Sequence, residues 1–355
     1  MTNTNTSSFS LMKGASVDRK NYSFFAIDDN LSYYFFSVQQ VQMWLASEIP
    51  YTKDMSDYKK LTPRMQQLID EILGFFATGD GLVNASVLRQ MQSAKTSMEV
   101  GFLFFQGAIE VVHQQVYGLF IKMFSETPDK EERIFNMVND VECVKLKADF
   151  ITKYIDSDIP DCLRNLAQAC AEGIFFVTLF AIIFFFRRLN VLEAFIFANE
   201  QISKDETVHR DYYCAKAEEN NIINYAKEAD AIIEEAIMIE IKYVKHLLRT
   251  PVQEDNLDQI MGLTVENLTA YIQLLADQIR VFCGLSIKYN SKPNLAWMPD
   301  LGLEHKNNFY ERKVGNYKKG SLQTLLNWKA SIGIESVDGK VKVHNGVENP
   351  ESVIF

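Results

Sequence analysis

The stretch G107-A-I-E-V-V-H-Q-Q-V-Y-G118 sets a carboxylate, an imidazole and a phenol in strongly apolar surroundings. A helix advances about 100° per residue, so offsets of three and seven return to nearly the same side. Glu110, His113 and Tyr117 therefore share one stripe. A polar stripe in an apolar helix needs partners, because buried polar groups are almost always bonded to something. The remainder of the chain must supply them.

The bulk numbers limit what those partners can be. The chain has 355 residues, of which 47% are apolar and 23% charged, enough for one large globular domain, or two small ones, with a substantial core. A net charge of −10 argues against a nucleic-acid surface or an anionic membrane. The five cysteines, Cys143, Cys162, Cys170, Cys214 and Cys283, form no CxxC pair, which suits free thiols in a reducing compartment. The opening MTNTNTSSFS lacks an apolar signal core, so a cytoplasmic location is expected. One segment, GIFFVTLFAIIFFF at 173–186, is as apolar as a membrane span. It is shorter than the roughly 20 residues a span requires, and it reads as a helix buried on all sides.

Glycine and proline are sparse, 16 and 8 in the chain. Helical apolar spacing runs through 62–87, 93–124, 131–155, 160–187, 190–218, 222–248 and 255–287. Thr62 followed by Pro63 predicts a capped helix start. Strand signals are weak, so the expected fold is all-α, a bundle of long antiparallel helices. The ends differ in composition. Residues 1–24 read as a Ser/Thr/Asn-rich arm, 25–317 as the helical domain and 318–355 as a flexible tail with one short helix near Leu322–Trp328.

Of five histidines, His113 and His209 each follow a glutamate by three residues, in AIEVVH and KDETVH. Each Glu-x-x-His puts both side chains on one helix face. Two other helices supply isolated acids in apolar text, Asp80 in FFATGDGLVN and Glu172 in AEGIFFVTLF. One acid from each of two helices and Glu-x-x-His from two more is how ferritin-like dimetal carboxylate bundles hold their ions. Four carboxylates and two imidazoles suit iron or manganese better than a thiolate-seeking metal. Taken singly, each of these six residues is more ordinarily a satisfied structural group. His246, His305 and His344 lack such partners and read as ordinary residues.

These motifs make the chain resemble the small, radical-generating subunit of class I ribonucleotide reductase. The likeness runs over about residues 25 to 317, through FFATGDGLVN, FQGAIEVVHQQVYGLFI, AEGIFFVTLF, ISKDETVH, KPNLAWMPDLGL and NNFYERKVGNY. The resemblance implies Asp80, Glu110 and His113 as ligands of one metal and Glu172, Glu206 and His209 of the other, with Glu110 and Glu206 bridging. It implies two iron ions per subunit, with manganese or a mixed pair as alternatives. Tyr117 matches the family's radical-bearing tyrosine, which implies oxidation by the metal site with O2 and an electron donor. Phe176, Phe180 and Ile202 match the apolar pocket around that radical.

Trp44, Asp205 and Tyr317 match a chain that relays the radical to the large subunit, where ribonucleotides become deoxyribonucleotides for DNA synthesis. The resemblance also implies a homodimer that binds the large subunit through its C-terminal tail. Three departures stand out. The spacing from Asp80 to Glu110 is one residue shorter than the family pattern, which predicts a bulge or π-turn in the second or intervening helix. Lys204 replaces an arginine before Asp205. The tail ends ENPESVIF, keeping Phe355 with Glu348 and Glu351 but not the usual acidic-aromatic text. The alternatives are a stand-alone ferritin-like oxidase, a non-catalytic paralogue and an iron store. An oxidase does not require Trp44, Asp205 and Tyr317 together, a store has no need of the radical pocket, and a paralogue predicts eroded ligands.

Overall fold

The computed structural model describes residues 29–249 apart from 157, residues 263–298 apart from 296, and two short strands at 334–337 and 340–343. The expected arm at 1–24, the helix near 322–328, Tyr317, His305, His344 and the terminal Phe355 lie outside the described residues. The chain divides into two compact units, Met1–Met298 and Pro299–Phe355.

The described elements of the first unit are all helices: α1 (Asn30–Gln42), α2 (Asp54–Tyr58), α3 (Pro63–Ser93), α4 (Ser97–Phe124), α5 (Pro128–Phe135), α6 (Met137–Asp140) and α7 (Glu142–Asp156). It continues with α8 (Asp161–Cys170), a π-helical segment (Ala171–Phe176), α9 (Val177–Phe185), α10 (Glu193–Glu219), α11 (Ala226–Leu247) and α12 (Val265–Phe282). The helix pairs α3/α4 and α8/α10 make the broadest packing contacts.

Caps explain where the site-bearing helices start. Thr62 accepts from Met65 N at 3.3 Å with Pro63 in the first turn of α3, as the sequence predicts. Thr96 and Glu99 form a capping box at α4. The start of α10 is capped from a distance, since Asp54 on α2 accepts from Ala194 N at 3.1 Å and Phe195 N at 2.7 Å. No local pattern announces that cap. Leu192, just before α10, holds a left-handed φ of 56° and is completely buried. Such a conformation costs about 1–3 kcal/mol for a non-glycine residue, and packing and the Asp54 cap offset it.

Three features differ from the sequence reading. First, α1 was absent from the periodic segments. Its text, NLSYYFFSVQQVQ, is rich in aromatic and β-branched residues of low helix propensity. The Asp29 cap, which accepts from Ser32 N at 3.0 Å, and packing on α4 and α10 make it a helix. Second, the segment expected at 131–155 is broken into α5, α6 and α7. Third, the π-turn lies in neither α3 nor α4, both of which are regular α-helices. It falls at Ala171–Phe176, around Glu172. There Gly173 meets α10 so closely that a Cβ would lie 2.5 Å from Arg210 Cδ. A widened turn with no side chain fits that approach.

The apolar run at 173–186 is the core helix expected. In the continuous helical stretch Asp161–Leu189, the most apolar window has a mean hydropathy of 2.3 and is 94% buried. By length and composition it is apolar enough to cross a membrane, but its side chains are covered by the surrounding helices. Burial of each such Leu, Ile or Phe contributes about 1.5–3 kcal/mol.

In the second unit the described residues form one antiparallel hairpin, β1 (Ile334–Val337) and β2 (Lys340–Val343), with Val337 opposite Lys340. Asp338-Gly339 between two alternating runs is a strong hairpin signal that the weak-strand reading passed over.

Candidate metal centre

Four helical segments converge on one point. Asp80 comes from α3, Glu110 and His113 from α4, Glu172 from the π-segment, and Glu206 and His209 from α10. None of the six is more than 1% exposed. One potential ligand atom from each of Asp80, Glu110, His113 and Glu206 lies within 4.8 Å of the others. The same holds for Glu110, Glu172, Glu206 and His209. Glu110 and Glu206 belong to both sets, so the geometry divides into two adjoining positions with two shared carboxylates.

The polar bookkeeping inside the cluster is incomplete. Both oxygens of Asp80, both of Glu206, Glu110 Oε1, Glu172 Oε2 and both nitrogens of His209 make no hydrogen bond. His209 Nδ1 stands 3.1 Å from Glu110 Oε1 without the alignment of a hydrogen bond. An unbonded buried polar atom costs about 1–3 kcal/mol, and more when charged. So many in one place suit a site able to hold cations.

Electrostatics point the same way. Burial, reinforced by the Glu110 charge, pushes the Asp80 carboxyl well above its ordinary range. Burial and the charges of Glu206 and Glu110 do the same to Glu172. Burial opposes a charged imidazole at His113, but hydrogen bonds to Asp205 and Glu110 and the nearby Glu206 carboxylate outweigh it and raise the group. His209 is pushed up to about 9 by Glu110 and Glu206, again against burial. Glu206 is held low despite burial, because His113 and His209 face it. The acids draw protons and positive charge into the site, which two divalent cations would supply.

His113 faces two ways. Its Nδ1 lies 3.2 Å from both Glu110 Oε2 and Glu206 Oε1, while its Nε2 is 3.1 Å from Asp205 Oδ2. Trp44 Nε1 donates to the same Asp205 oxygen at 2.8 Å. Trp44, Asp205 and His113 thus form one hydrogen-bonded chain, with the Trp44 and His113 rings stacked at 25° and 6.0 Å apart. Trp44 itself is 5% exposed and lies between the exposed Met43 and Leu45. Lys204 donates to Gln201 Oε1.

Tyr117 is completely buried. Its hydroxyl donates to Asn199 Oδ1 at 3.1 Å, and its ring stacks on Phe76 at 4.5 Å and 13°. Burial and the nearby Asp80, Glu206 and Glu110 charges hold the phenol well above its ordinary pKa, so it keeps its proton. Phe176 and Phe180 pack on Phe76, at 5.8 Å and 5.7 Å between ring centroids, and Ile202 is wholly buried. Gly79 makes room for this packing, since a Cβ there would lie 2.9 Å from Phe176 Cζ.

Sequence reasoning missed Phe76, Asn199, Gln106 and Gln168. The last two donate to Glu172 Oε1 at 2.9 Å and 3.0 Å. All four lie one or two helical turns before a cluster residue, at Asp80 minus four, Glu206 minus seven, Glu110 minus four and Glu172 minus four. That spacing was the available signal.

Comparison with known proteins agrees with this geometry. The family model described as "Ribonucleotide reductase, small chain" matches residues 21–295. The ribonucleoside-diphosphate reductase small chain of vaccinia virus (strain Copenhagen) is 31% identical over 297 residues, covering 83% of this chain and 91% of that protein. Among solved structures, the Rnr4 homodimer of Saccharomyces cerevisiae superposes with a TM-score of 0.67 at 24% identity, over 81% of this chain and 91% of that one. The dimanganese(II) NrdF of Streptococcus sanguinis gives 0.68 at 19% identity, over 77% and 94%. Those two structures share the fold. With the family match extending over most of its length, the chain belongs to the ribonucleotide reductase small-chain family.

Proposed function

We propose that this small subunit of ribonucleotide reductase stores its oxidising equivalent on Tyr117 and lends it to a large subunit that reduces ribonucleoside diphosphates. The observation carrying this reading is the juxtaposition of Tyr117, wholly buried among phenylalanines, with a buried carboxylate–histidine cluster rich in unbonded oxygens. Asp80, Glu110 and His113 would hold one ion and Glu172, Glu206 and His209 the other, with Glu110 and Glu206 shared. When bound, two iron ions, or manganese in their place, supply the O2-dependent one-electron oxidising power.

The chain's own residues do the rest. Phe76, Phe176, Phe180 and Ile202 exclude water and mobile donors from the phenol, which protects an oxidised ring from quenching. Asn199 accepts the Tyr117 hydroxyl proton in a hydrogen bond and fixes the phenol's orientation. Asp205 fixes the His113 tautomer and couples it to Trp44, a route by which an electron can cross from the surface side to the cluster. In this reading Tyr317 continues the relay, and the tail at 318–355 docks the large subunit.

Phe104, Ala108, Val111 and Leu119 are exposed apolar residues along one face of α4, interrupted by the exposed Gln115, with Leu88 bare on neighbouring α3. This face supports a homodimer, since isolated exposed apolar residues are ordinary but several on one helix face are less so. The domain limits at 25 and 317 belong to the same reading, as does a cytoplasmic location, which the five free, buried cysteines suit.

The test is electron paramagnetic resonance after anaerobic iron(II) loading and exposure to O2, on the wild type and Tyr117→Phe. The expected result is a tyrosyl signal in the wild type that disappears in the variant while metal content is unchanged. Turnover with the large subunit should fall by at least about a thousandfold. A signal that persists in Tyr117→Phe would move the radical to another residue.

A further inference from the structure

Among the four acids of the cluster, Glu172 is held in an unusual way. Its Oε1 accepts hydrogen bonds from two buried amides, Gln106 Nε2 at 2.9 Å and Gln168 Nε2 at 3.0 Å. Its Oε2 accepts none. A carboxylate oxygen offers two lone pairs, so two donors saturate Oε1 and leave Oε2 as the atom open to a cation. Asp80 and Glu206, by contrast, have both oxygens free of hydrogen bonds.

The two amides are themselves oriented. Tyr213 Oη donates to Gln106 Oε1 at 2.7 Å, and Ser86 Oγ donates to Gln168 Oε1 at 2.7 Å. Each hydroxyl has one proton to give. Each also accepts from Gln90 Nε2, at 3.2 Å for Ser86 and 3.5 Å for Tyr213. An amide nitrogen only donates and an amide oxygen only accepts. The bonds therefore run in one direction, from Gln90 to two hydroxyls, from the hydroxyls to two carbonyls, and from the amide groups to Glu172. Turning either glutamine over would set a carbonyl against the carboxylate. Gln106, Gln168, Ser86 and Tyr213 are all buried, and buried networks of this kind hold a single arrangement when every member is satisfied. Gln90 is half-buried and borders a surface pocket shared with Lys95, Glu99 and Lys216.

We infer that Gln106 and Gln168 are positioning residues that make Glu172 a one-oxygen metal ligand, and that Gln90 sets their direction from near the surface. The inference rests on the reading of Glu172 as a metal ligand. Neither glutamine touches the ion, since both act through Glu172 Oε1.

The experiment uses the full chain loaded with manganese(II) without oxygen, comparing the wild type with Gln106→Leu/Gln168→Leu, Gln90→Leu and Tyr213→Phe. Crystal structures of the loaded proteins count the Glu172 oxygens on the metal, and a manganese titration followed by electron paramagnetic resonance gives the affinity. The wild type should bind through one Glu172 oxygen and the double variant through two. Affinity at that position should change by about tenfold or more. Gln90→Leu, three hydrogen bonds from Glu172, should shift affinity in the same direction by less, an effect that simple packing at Gln90 would not produce. Should the double variant fail to fold, Tyr213→Phe and Ser86→Ala each remove a single hydroxyl and carry the same readout. Two manganese ions bound with Glu172 still on one oxygen and affinity unchanged in the variants would overturn this inference alone. A wild type in which both Glu172 oxygens bind would also overturn it. A wild type that takes up neither manganese nor iron would overturn the metal-site reading, and this inference with it.

Discussion

Two of the wholly buried charge groups among the described residues of the helical unit are built in opposite ways. Lys147 on α7 and Glu240 on α11 meet at 2.7 Å. The ammonium also donates to Phe175 O at 3.3 Å and lies over the rings of Phe75 and Tyr243, at 4.1 Å and 4.0 Å from their centroids. One positive charge answers one negative. In the six-residue cluster, four carboxylates face two imidazoles, and both Asp80 oxygens have no hydrogen bond. Two like charges about 5 Å apart repel by roughly 3 kcal/mol at an effective dielectric constant of 20. Both Glu240 oxygens likewise make no aligned hydrogen bond, so the two groups differ in charge balance: the pair is neutral as the chain folds, whereas the cluster reaches balance only with something the chain does not contain. Both groups border the same π-segment, so the difference lies in charge count and not in depth.

This contrast can be broken first at Asp80. Asp80→Asn should weaken metal binding at its position by at least about a hundredfold and abolish Tyr117 oxidation, read by metal analysis and the radical signal. In the metal-free protein the same change should raise stability by about 1–2 kcal/mol, because it removes a buried charge that has no hydrogen bond. A metal-free Asp80→Asn that melts lower than the wild type would place the cluster in the same class as the pair.

At the pair the sign should reverse. Lys147→Met strands a buried carboxylate and should cost about 3–5 kcal/mol in denaturant unfolding. Adding Glu240→Leu should recover most of that loss, since a well-packed apolar replacement of a buried ion pair is often neutral. A double variant as unstable as the single one would show that the carbonyl contact to Phe175 matters more than charge neutralisation.

The smallest expected effect is a pH dependence. Burial, only partly offset by Lys147, pushes Glu240 up to about 7 from 4.5. Its contribution to stability is therefore fully present below pH 4.5 and lost as pH rises through about 7. Burial lowers Lys147 from 10.5 to about 8 in spite of Glu240, so its contribution is present above pH 10.5 and lost as pH falls through about 8. Relative to the Lys147→Met/Glu240→Leu variant, wild-type stability should reach a minimum between pH 7 and 8. It should rise by about 1 kcal/mol on going from pH 7 to 6, as urea unfolding at each pH would measure.

Much of the candidate site was legible because helices repeat. Glu110, His113 and Tyr117 share a stripe by their spacing alone, and the second Glu-x-x-His at Glu206 and His209 follows the same rule. The structure brings those residues together with Asp80 and Glu172. The same periodicity marks Phe76, Asn199, Gln106 and Gln168, which stand one or two turns from a cluster residue but carry no charge to single them out. Helix α1 was not legible, because its aromatic and β-branched text argues against a helix that tertiary packing nonetheless imposes. The hairpin at 334–343 was legible in Asp338-Gly339 and was passed over.

Helical class, the polar stripe on α4 and the identity of the acids and imidazoles follow from the sequence by itself, because period and side-chain chemistry are local properties. Tertiary structure alone decided where the π-turn falls, how Asp54 caps α10 across 140 residues of sequence, and which oxygen of Glu172 is left free. Each of these depends on where one helix meets another: Gly173 against Arg210, α2 against the start of α10, and two glutamines against one carboxylate. A hydrogen bond acts over about 3 Å in space and takes no account of separation along the chain.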